Sequence, residues 1–127
     1  MTPPTTVTGV DFLTVFIKDY PAAQKFYGDV LGLEHSADYG KARGGEYETG
    51  NLTLQLMDAE AIGQEFKPSG HPIALHVEDV EAARAEAESN GVEFFGETMD
   101  SGVCHMAFFK DPDGNALMFH NRYAPRT

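Results

Sequence analysis

The sequence has little cysteine, few basic residues and no long apolar segment, and each shortage excludes a class of protein. Among 127 residues Cys104 is the single cysteine, which excludes an internal disulfide framework and fits a reducing compartment, so we expect a cytoplasmic protein. No apolar run is long enough to cross a bilayer. The stretch from Met1 to Thr6 lacks a basic region and an apolar core, and we expect a frayed tail, not a signal peptide.

Basic residues are outnumbered: nine stand against 20 acidic ones, which gives a formal net charge of −11. Nucleic acids and anionic membranes bind through clusters of lysine and arginine, so we expect neither as a partner. The same charge favours a cationic ligand. It also serves solubility, because acidic residues such as Glu81, Glu86 and Glu88 fall on a solvated face of a predicted helix.

The chain contains an internal sequence repeat, with one copy at Ile17–Ala23 and the other at Val77–Ala83, 60 residues apart. An aliphatic alternation precedes each copy, and a helix-like spacing that stops at Gly32 or Gly91 follows. We therefore predict an α+β fold of two βαβββ modules in a pseudo-two-fold arrangement. The single domain, residues 1–127, would comprise module one at about 8–58, a linker at 59–70 and module two at about 71–122.

Local signals set the predicted elements. Asp19 and Asp79 are suited to cap the two helices, and the loop from Asp111 to Asn115 has the proline and glycine of a hairpin turn. The predicted strands are Val10–Ile17, Leu33–Tyr39, Arg43–Thr49, Asn51–Asp58, Pro72–Val77, Val92–Phe95, Val103–Lys110 and Ala116–Asn121.

Alternation along these strands separates two sheet faces. One face is uniformly apolar and must lie under the helices: Leu13, Val15, Ile17, Leu52, Leu54, Leu56, Ile73, Leu75, Val77, Leu117 and Phe119. The other mixes aromatic, polar and sulfur-containing side chains, which is typical of a small-molecule cavity. Its candidate ligand-binding residues are Phe12, Thr14, Phe16, Gln55, Met57, His76, Met118 and His120. The alternative is that this face packs against another sheet or subunit.

Three segments resemble the vicinal oxygen chelate superfamily, which groups glyoxalase I, extradiol dioxygenases, fosfomycin resistance enzymes and bleomycin resistance proteins. They are Lys18–Tyr20 leading to Phe26–Leu33, Ile73–Val77 with Asp79, and Phe108–Asn115. The resemblance covers nearly the whole chain, from Val10 to Tyr123. It implies mixed sheets that curl around a shared cavity, and a homodimer.

In the metalloenzymes that the chain resembles, a divalent ion is bound by one residue from the first and last strand of each module. The ligands there are usually histidine on a first strand and glutamate on a last one. The matching positions here are Phe12, Gln55, Pro72 and Met118, none of which is a good ligand for such an ion. We therefore expect no metal and no other cofactor. The resemblance also assigns ligand contacts to the middle strands, without choosing among Tyr39, Arg43, Glu46 and Tyr47.

Histidines on the predicted cavity face keep catalysis open. His76 and His120 could act as general acid and base, bind a metal with a third donor, or hydrogen-bond a ligand. His71 stands one residue from an expected ligand position, so it should point away unless a bulge intervenes. Cys104 precedes His105, but neighbours on a strand face opposite ways, and we expect a buried, inert thiol.

Two functions follow from different classes of protein. The first is a metal-independent binding protein for a small cationic or aromatic molecule, similar to the bleomycin resistance branch. The alternative is a metal-dependent lyase or dioxygenase with a displaced site built from His76, His120 and His71. Metal-free acid–base catalysis by His76 or His120 is a third interpretation. The sequence does not decide whether any reaction is catalysed.

Overall fold

Two four-stranded sheets with the same strand order form the protein. The computed structural model describes residues 6–126, and residues 1–5 of the predicted tail lie outside them. The first sheet, in the order β1-β4-β3-β2, contains Phe12–Ile17 (β1), Glu34–Asp38 (β2), Gly44–Glu48 (β3) and Thr53–Asp58 (β4). The second, in the order β5-β8-β7-β6, contains Ile73–His76 (β5), Phe94–Asp100 (β6), Cys104–Lys110 (β7) and Ala116–Arg122 (β8). The predicted α+β fold of two βαβββ modules is confirmed.

Strand pairing is also the same in both sheets. The first strand of each module runs parallel to the last, β1 with β4 and β5 with β8, and the remaining pairs are antiparallel. Strand β6 differs from the predicted Val92–Phe95: it begins at Phe94 and continues to Asp100. It continues because Gly96, at a φ of 71°, allows a register shift between Phe95 and Met99 that sequence patterning does not reveal.

Each module has one helix, and each helix has an aspartate as its N-cap. The Asp19 carboxylate accepts the Ala22 N–H at 3.1 Å before α1 (Tyr20–Gln24), and the Asp79 carboxylate accepts the Ala82 N–H at 3.0 Å before α2 (Val80–Ser89). The first helix is not α-helical throughout as predicted, because Lys25–Val30 forms wider π-helical turns. These turns leave the adjacent rings Phe26 and Tyr27 both buried.

Short 3-10 turns follow β2 and β4, at Gly40–Ala42 and Glu60–Ile62. Within residues 6–126 no helix has the length and apolar character needed to cross a membrane.

A helix covers one face of each sheet, and the core lies between the helices and these faces. The predicted apolar face is buried there at Val15, Ile17, Leu54, Leu56, Leu117 and Phe119. Leu52, Ile73, Leu75 and Val77 are half-buried, and Leu13 is 40% exposed because it lies near the start of the edge strand β1. The core continues from module to module, since the Phe26 ring of module one lies 6.3 Å from the Phe109 ring of module two.

The loop from Asp111 to Asn115, buried at these two residues, connects the two modules by hydrogen bonds. The Tyr27 hydroxyl of module one donates to the Asp111 carboxylate at 2.7 Å. The Asn115 amide donates to the Phe16 carbonyl at 2.9 Å, and the Asp113 carboxylate accepts the Lys18 and Asp19 N–H groups at 2.8 and 3.2 Å. The predicted turn is confirmed, with Gly114 at a φ of 92°, and it places module two against β1.

The open faces of the two sheets, a candidate functional site

Each sheet has an open face, the one opposite its helix. All eight predicted ligand-binding residues lie on these open faces. The register pairs four sets of neighbours there: Thr14 with Gln55, Phe16 with Met57, Ala74 with Met118, and His76 with His120. Phe12 is 51% exposed, and most of the other predicted residues are half-buried. That they bind a ligand stays a prediction.

A chain of hydrogen bonds crosses the open face of the first sheet. The Thr14 hydroxyl donates to the Gln55 carbonyl oxygen at 2.7 Å, and the Gln55 amide donates to the Tyr39 hydroxyl at 3.1 Å. Tyr39 in turn donates to the Glu46 carboxylate. Burial, together with the bond to Glu46, raises the pKa of Tyr39, so the phenol keeps its proton and its role as donor. The side chains of Thr14, Gln55 and Tyr39 therefore hold the Glu46 carboxylate in a fixed position.

A second carboxylate, Glu48, lies two residues along the same strand. It accepts the Ser36 hydroxyl at 2.5 Å and the Thr53 hydroxyl at 2.6 Å, and these bonds hold its pKa below the usual range. In the part of the chain that the structure describes, neither Glu46 nor Glu48 forms an ion pair. The open face of the first sheet is therefore negatively charged, and the side chains that hydrogen-bond its two carboxylates are neutral.

The open face of the second sheet has the opposite character. It carries sulfur, aromatic and basic side chains: Met106, Phe108, Lys110, Met118, His120 and Arg122. The Lys110 ammonium lies 5.1 Å from the centre of the Phe95 ring, which is 55% exposed. The Arg122 Nε atom is buried without a hydrogen-bond partner among the described residues.

The residues at the four metal-ligand positions do not fit a divalent ion. Gln55 and Met118 are equivalent, because they lie opposite Thr14 and Ala74 at corresponding places in the two sheets. Gln55 offers one amide oxygen, which already accepts a hydrogen bond from the Thr14 hydroxyl. The side chains of Phe12 and Pro72 have no atom that can bind a metal, and the Met118 thioether suits soft ions. Among residues 6–126, no group of three or more histidine, cysteine, aspartate or glutamate side chains is placed to hold a metal ion.

The two histidines of the open face lie on neighbouring strands. His76 Nε2 is 3.1 Å from the Glu78 carboxylate, and its side chain is 65% exposed, whereas His120 is half-buried. His71 is exposed beside Pro72 and borders a cavity between the two sheets. The displaced histidine metal site remains a prediction.

Cys104 and His105 are neighbours at the start of β7 and differ in their surroundings. Cys104, expected to be buried, is half-buried because it lies at the start of β7 beside the exposed Val103. His105 points the other way, as expected for a neighbour on a strand, and its ring packs at a tilt against the Tyr123 ring, with 4.7 Å between the ring centres.

The structure gives different surroundings to the four residues of the middle strands among which the resemblance did not choose: Tyr39, Arg43, Glu46 and Tyr47. Tyr39 and Glu46 belong to the hydrogen-bonded chain on the open face. Tyr47 is fully buried on the helix side, stacked on His35, so it cannot reach a ligand on the open face. Arg43, in a left-handed conformation at a φ of 51°, donates to the buried Asp58 carboxylate at 2.8 Å and thereby lowers the pKa of Asp58. This ion pair joins the residue before β3 to the last residue of β4.

Sequence reasoning missed three charged residues of the open faces, Glu48, Lys110 and Arg122. A signal was available, because Glu48 is two residues from Glu46 and Arg122 is two residues from His120. Extending the alternation along β3 and β8 would have placed both side chains on the open faces.

Comparison with known proteins agrees with this architecture. The sequence model of the glyoxalase/bleomycin resistance protein/dioxygenase superfamily matches residues 9–119. A comparison with curated proteins gave no match.

Solved structures share the fold at low sequence identity. A glyoxalase/bleomycin resistance protein/dioxygenase superfamily member from Sphaerobacter thermophilus is 24% identical with a TM-score of 0.79, over 91% of this chain and 98% of that one. TnmS3, an antibiotic binding protein from a Streptomyces species, is 24% identical with a TM-score of 0.78, over 94% of this chain and 99% of that one. A glyoxalase/bleomycin resistance protein from the same strain is 24% identical with a TM-score of 0.72, over 89% of this chain and 100% of that one.

The family match extends from the residues before β1 into β8, and both modules have the strand order and helix placement described above. The chain therefore belongs to the glyoxalase/bleomycin resistance protein/dioxygenase superfamily.

Proposed function

We propose that the protein binds a small aromatic cation on its open faces and needs no metal ion to do so. The observation that carries this proposal is the hydrogen-bonded chain from Thr14 through Gln55 and Tyr39 to Glu46. It fixes a half-buried carboxylate that has no cationic partner among the described residues. An uncompensated carboxylate in such a position attracts a cation more strongly than one in water does.

Apolar groups beside this carboxylate supply the second part of the recognition. Phe12, Phe16 and Met57 lie on the same open face, and the last two are neighbours in the register. Aromatic rings and a flexible thioether pack against a planar ligand, and a ring face also attracts a cation. The ligand expected here therefore carries a positive charge next to an aromatic group.

The family offers support of the same kind. TnmS3, which shares this fold, is named as an antibiotic binding protein. The metal-ligand positions of this chain point in the same direction, because Phe12, Gln55, Pro72 and Met118 supply at most one weak oxygen ligand. A divalent metal therefore belongs only to the alternative, a lyase or dioxygenase with a displaced histidine site.

We also propose that two copies of the chain cover each other's open faces. A single chain leaves Phe12, Phe95 and Met99 about half exposed, at 51%, 55% and 53%. A two-fold axis would bring the open face of the first sheet in one copy against the open face of the second sheet in the other and bury these side chains.

Native mass spectrometry checks the proposed dimer: twice the chain mass of 13.9 kDa is expected at micromolar concentration. Phe108→Glu would place a carboxylate opposite the acidic open face and should shift the protein to a monomer. A wild-type protein that stays monomeric at 100 µM, or a Phe108→Glu dimer as strong as the wild type, would show that the open faces are not the interface.

Ligand binding is tested with benzyltrimethylammonium and larger planar aromatic cations, with benzyl alcohol as the neutral control. Calorimetric titration should detect the cations and not the alcohol. Glu46→Gln should weaken binding by about 10- to 100-fold, the range expected for losing a hydrogen-bonded charge. Glu86→Gln, on the exposed face of α2, is the matched control and should change nothing.

Metal ions distinguish the proposal from its alternative. A panel of Mg²⁺, Mn²⁺, Zn²⁺ and Fe²⁺ should leave the melting temperature unchanged. If a metal raised it by several degrees and His76→Ala removed the effect, the lyase or dioxygenase reading would replace ours. Cation binding that survives Glu46→Gln at full strength would also contradict the proposal.

A further inference from the structure

A separate cavity of about 280 Å³ lies at the seam between the two sheets. Its apolar wall comes from the edge strand β1 and from the first residues of β5 and β8: Leu13, Val15, Ile73 and Ala116. The linker between the modules borders it with Lys67, Ser69 and His71. We call it the seam cavity. It touches Thr14 and Phe16 but none of the acidic residues of the open faces.

The charge of the seam cavity is opposite to that of the chain. Of the described residues that line it, none is acidic, although the chain has 20 aspartates and glutamates. Lys67 forms no ion pair within residues 6–126, and neither does the His71 ring. Lys67 is exposed, and its ammonium group supplies the positive charge of this lining.

Hydrogen-bond donors of the linker gather at this cavity. The Ser69 hydroxyl oxygen accepts the His71 N–H at 3.2 Å, which leaves the hydroxyl proton free to be donated. Lys67 adds an ammonium group, and a histidine ring carries an N–H in either tautomer. These groups match the acceptor oxygens of a carboxylate, while the wall behind them matches a hydrocarbon.

We propose that the seam cavity binds a small carboxylate with a short apolar tail. The carboxylate lies at Lys67 and Ser69, and the tail lies against Leu13, Val15 and Ile73. The volume is slightly below that of pockets for drug-sized ligands, so the tail is a short hydrocarbon chain. This ligand is opposite in charge to the cation proposed for the open faces, and its carboxylate lies at the linker, although the cavity shares Thr14 and Phe16 with the open face of the first sheet.

The test is a nuclear magnetic resonance titration of the full chain with butanoate, pentanoate and hexanoate. The methyl signals of Leu13, Val15 and Ile73 should shift, and affinity should rise about fourfold for each added methylene. Hexanol and hexylammonium, which lack the negative charge, should bind more weakly than hexanoate.

Lys67→Gln should weaken hexanoate binding by about three- to tenfold, and Lys41→Gln is the matched control, since Lys41 is exposed in the turn Gly40–Ala42. Equal binding of hexanoate and hexylammonium, no shift of the three methyl signals, or an unchanged affinity in Lys67→Gln would each overturn the proposal. Because the probes are anions, such a failure would leave cation binding on the open faces unaffected.

Discussion

Replacing Asp111 with alanine is expected to lower the free energy of unfolding by about 3–4 kcal/mol. The Asp111 carboxylate is 5% exposed and accepts four hydrogen bonds: from the Tyr27 hydroxyl at 2.7 Å, the Asn115 amide at 2.8 Å, and the Asp113 and Asn115 N–H groups at 2.9 Å each. Alanine would leave these donors in the interior without an acceptor. Urea unfolding followed by circular dichroism, at one fixed protein concentration, measures the loss.

Tyr27 is the donor that makes this loss large. Burial, and next the charge of Asp111, raise the pKa of Tyr27, so its hydroxyl is protonated throughout the usual pH range and always needs an acceptor. A double-mutant cycle with Tyr27→Phe should therefore show strong coupling to Asp111→Ala.

Asp113→Ala is the matched control on the same loop. Its carboxylate also accepts two N–H groups of module one, but these lie where water can replace it, and the loss should stay near 1 kcal/mol. Equal losses for Asp111→Ala and Asp113→Ala would mean that the buried bond to Tyr27 does not stabilise the junction of the modules.

Local patterns predicted the fold because each acts over a few residues. Asp19 and Asp79 cap helices through their own carboxylates, and the loop after β7 turns where proline and glycine require it. Alternation in β1 and β4 separated the buried face from the open one in nearly every case. The repeat then gave the second module from the first, down to the equivalence of Gln55 and Met118.

Tertiary contacts explain what the sequence did not predict. Nothing in the pattern of β3 indicates that Glu46 is held by Tyr39 while Tyr47 stacks on His35, because both contacts depend on how β2 and β3 pair. The π-helical turns at Lys25–Val30 likewise depend on tertiary packing, because they allow Phe26 and Tyr27 to be buried in the core together. The seam cavity and the linker residues that line it were not predicted either, because the cavity forms only where the two modules pack together.

Replacing Phe109 with alanine is expected to cost about 3–5 kcal/mol and to weaken both modules at once. Phe109 is 1% exposed, and its ring lies 4.7 Å from Phe119, 5.0 Å from Phe94 and 6.3 Å from Phe26, the last of which belongs to module one. Alanine would leave a cavity where the two helices and the second sheet meet, since a packed core relaxes only in part around a missing ring.

Phe109→Leu, which retains most of the volume, should lose roughly 1–2 kcal/mol. If residues 1–127 form a single domain, Phe109→Ala unfolds in one transition with an unchanged dependence on urea, because the shared core couples the modules. Two separate transitions, with module one as stable as in the wild type, would mean that the repeat consists of two independent folding units. The contact between Phe26 and Phe109 argues for one transition, since the two rings come from different modules and belong to the same core.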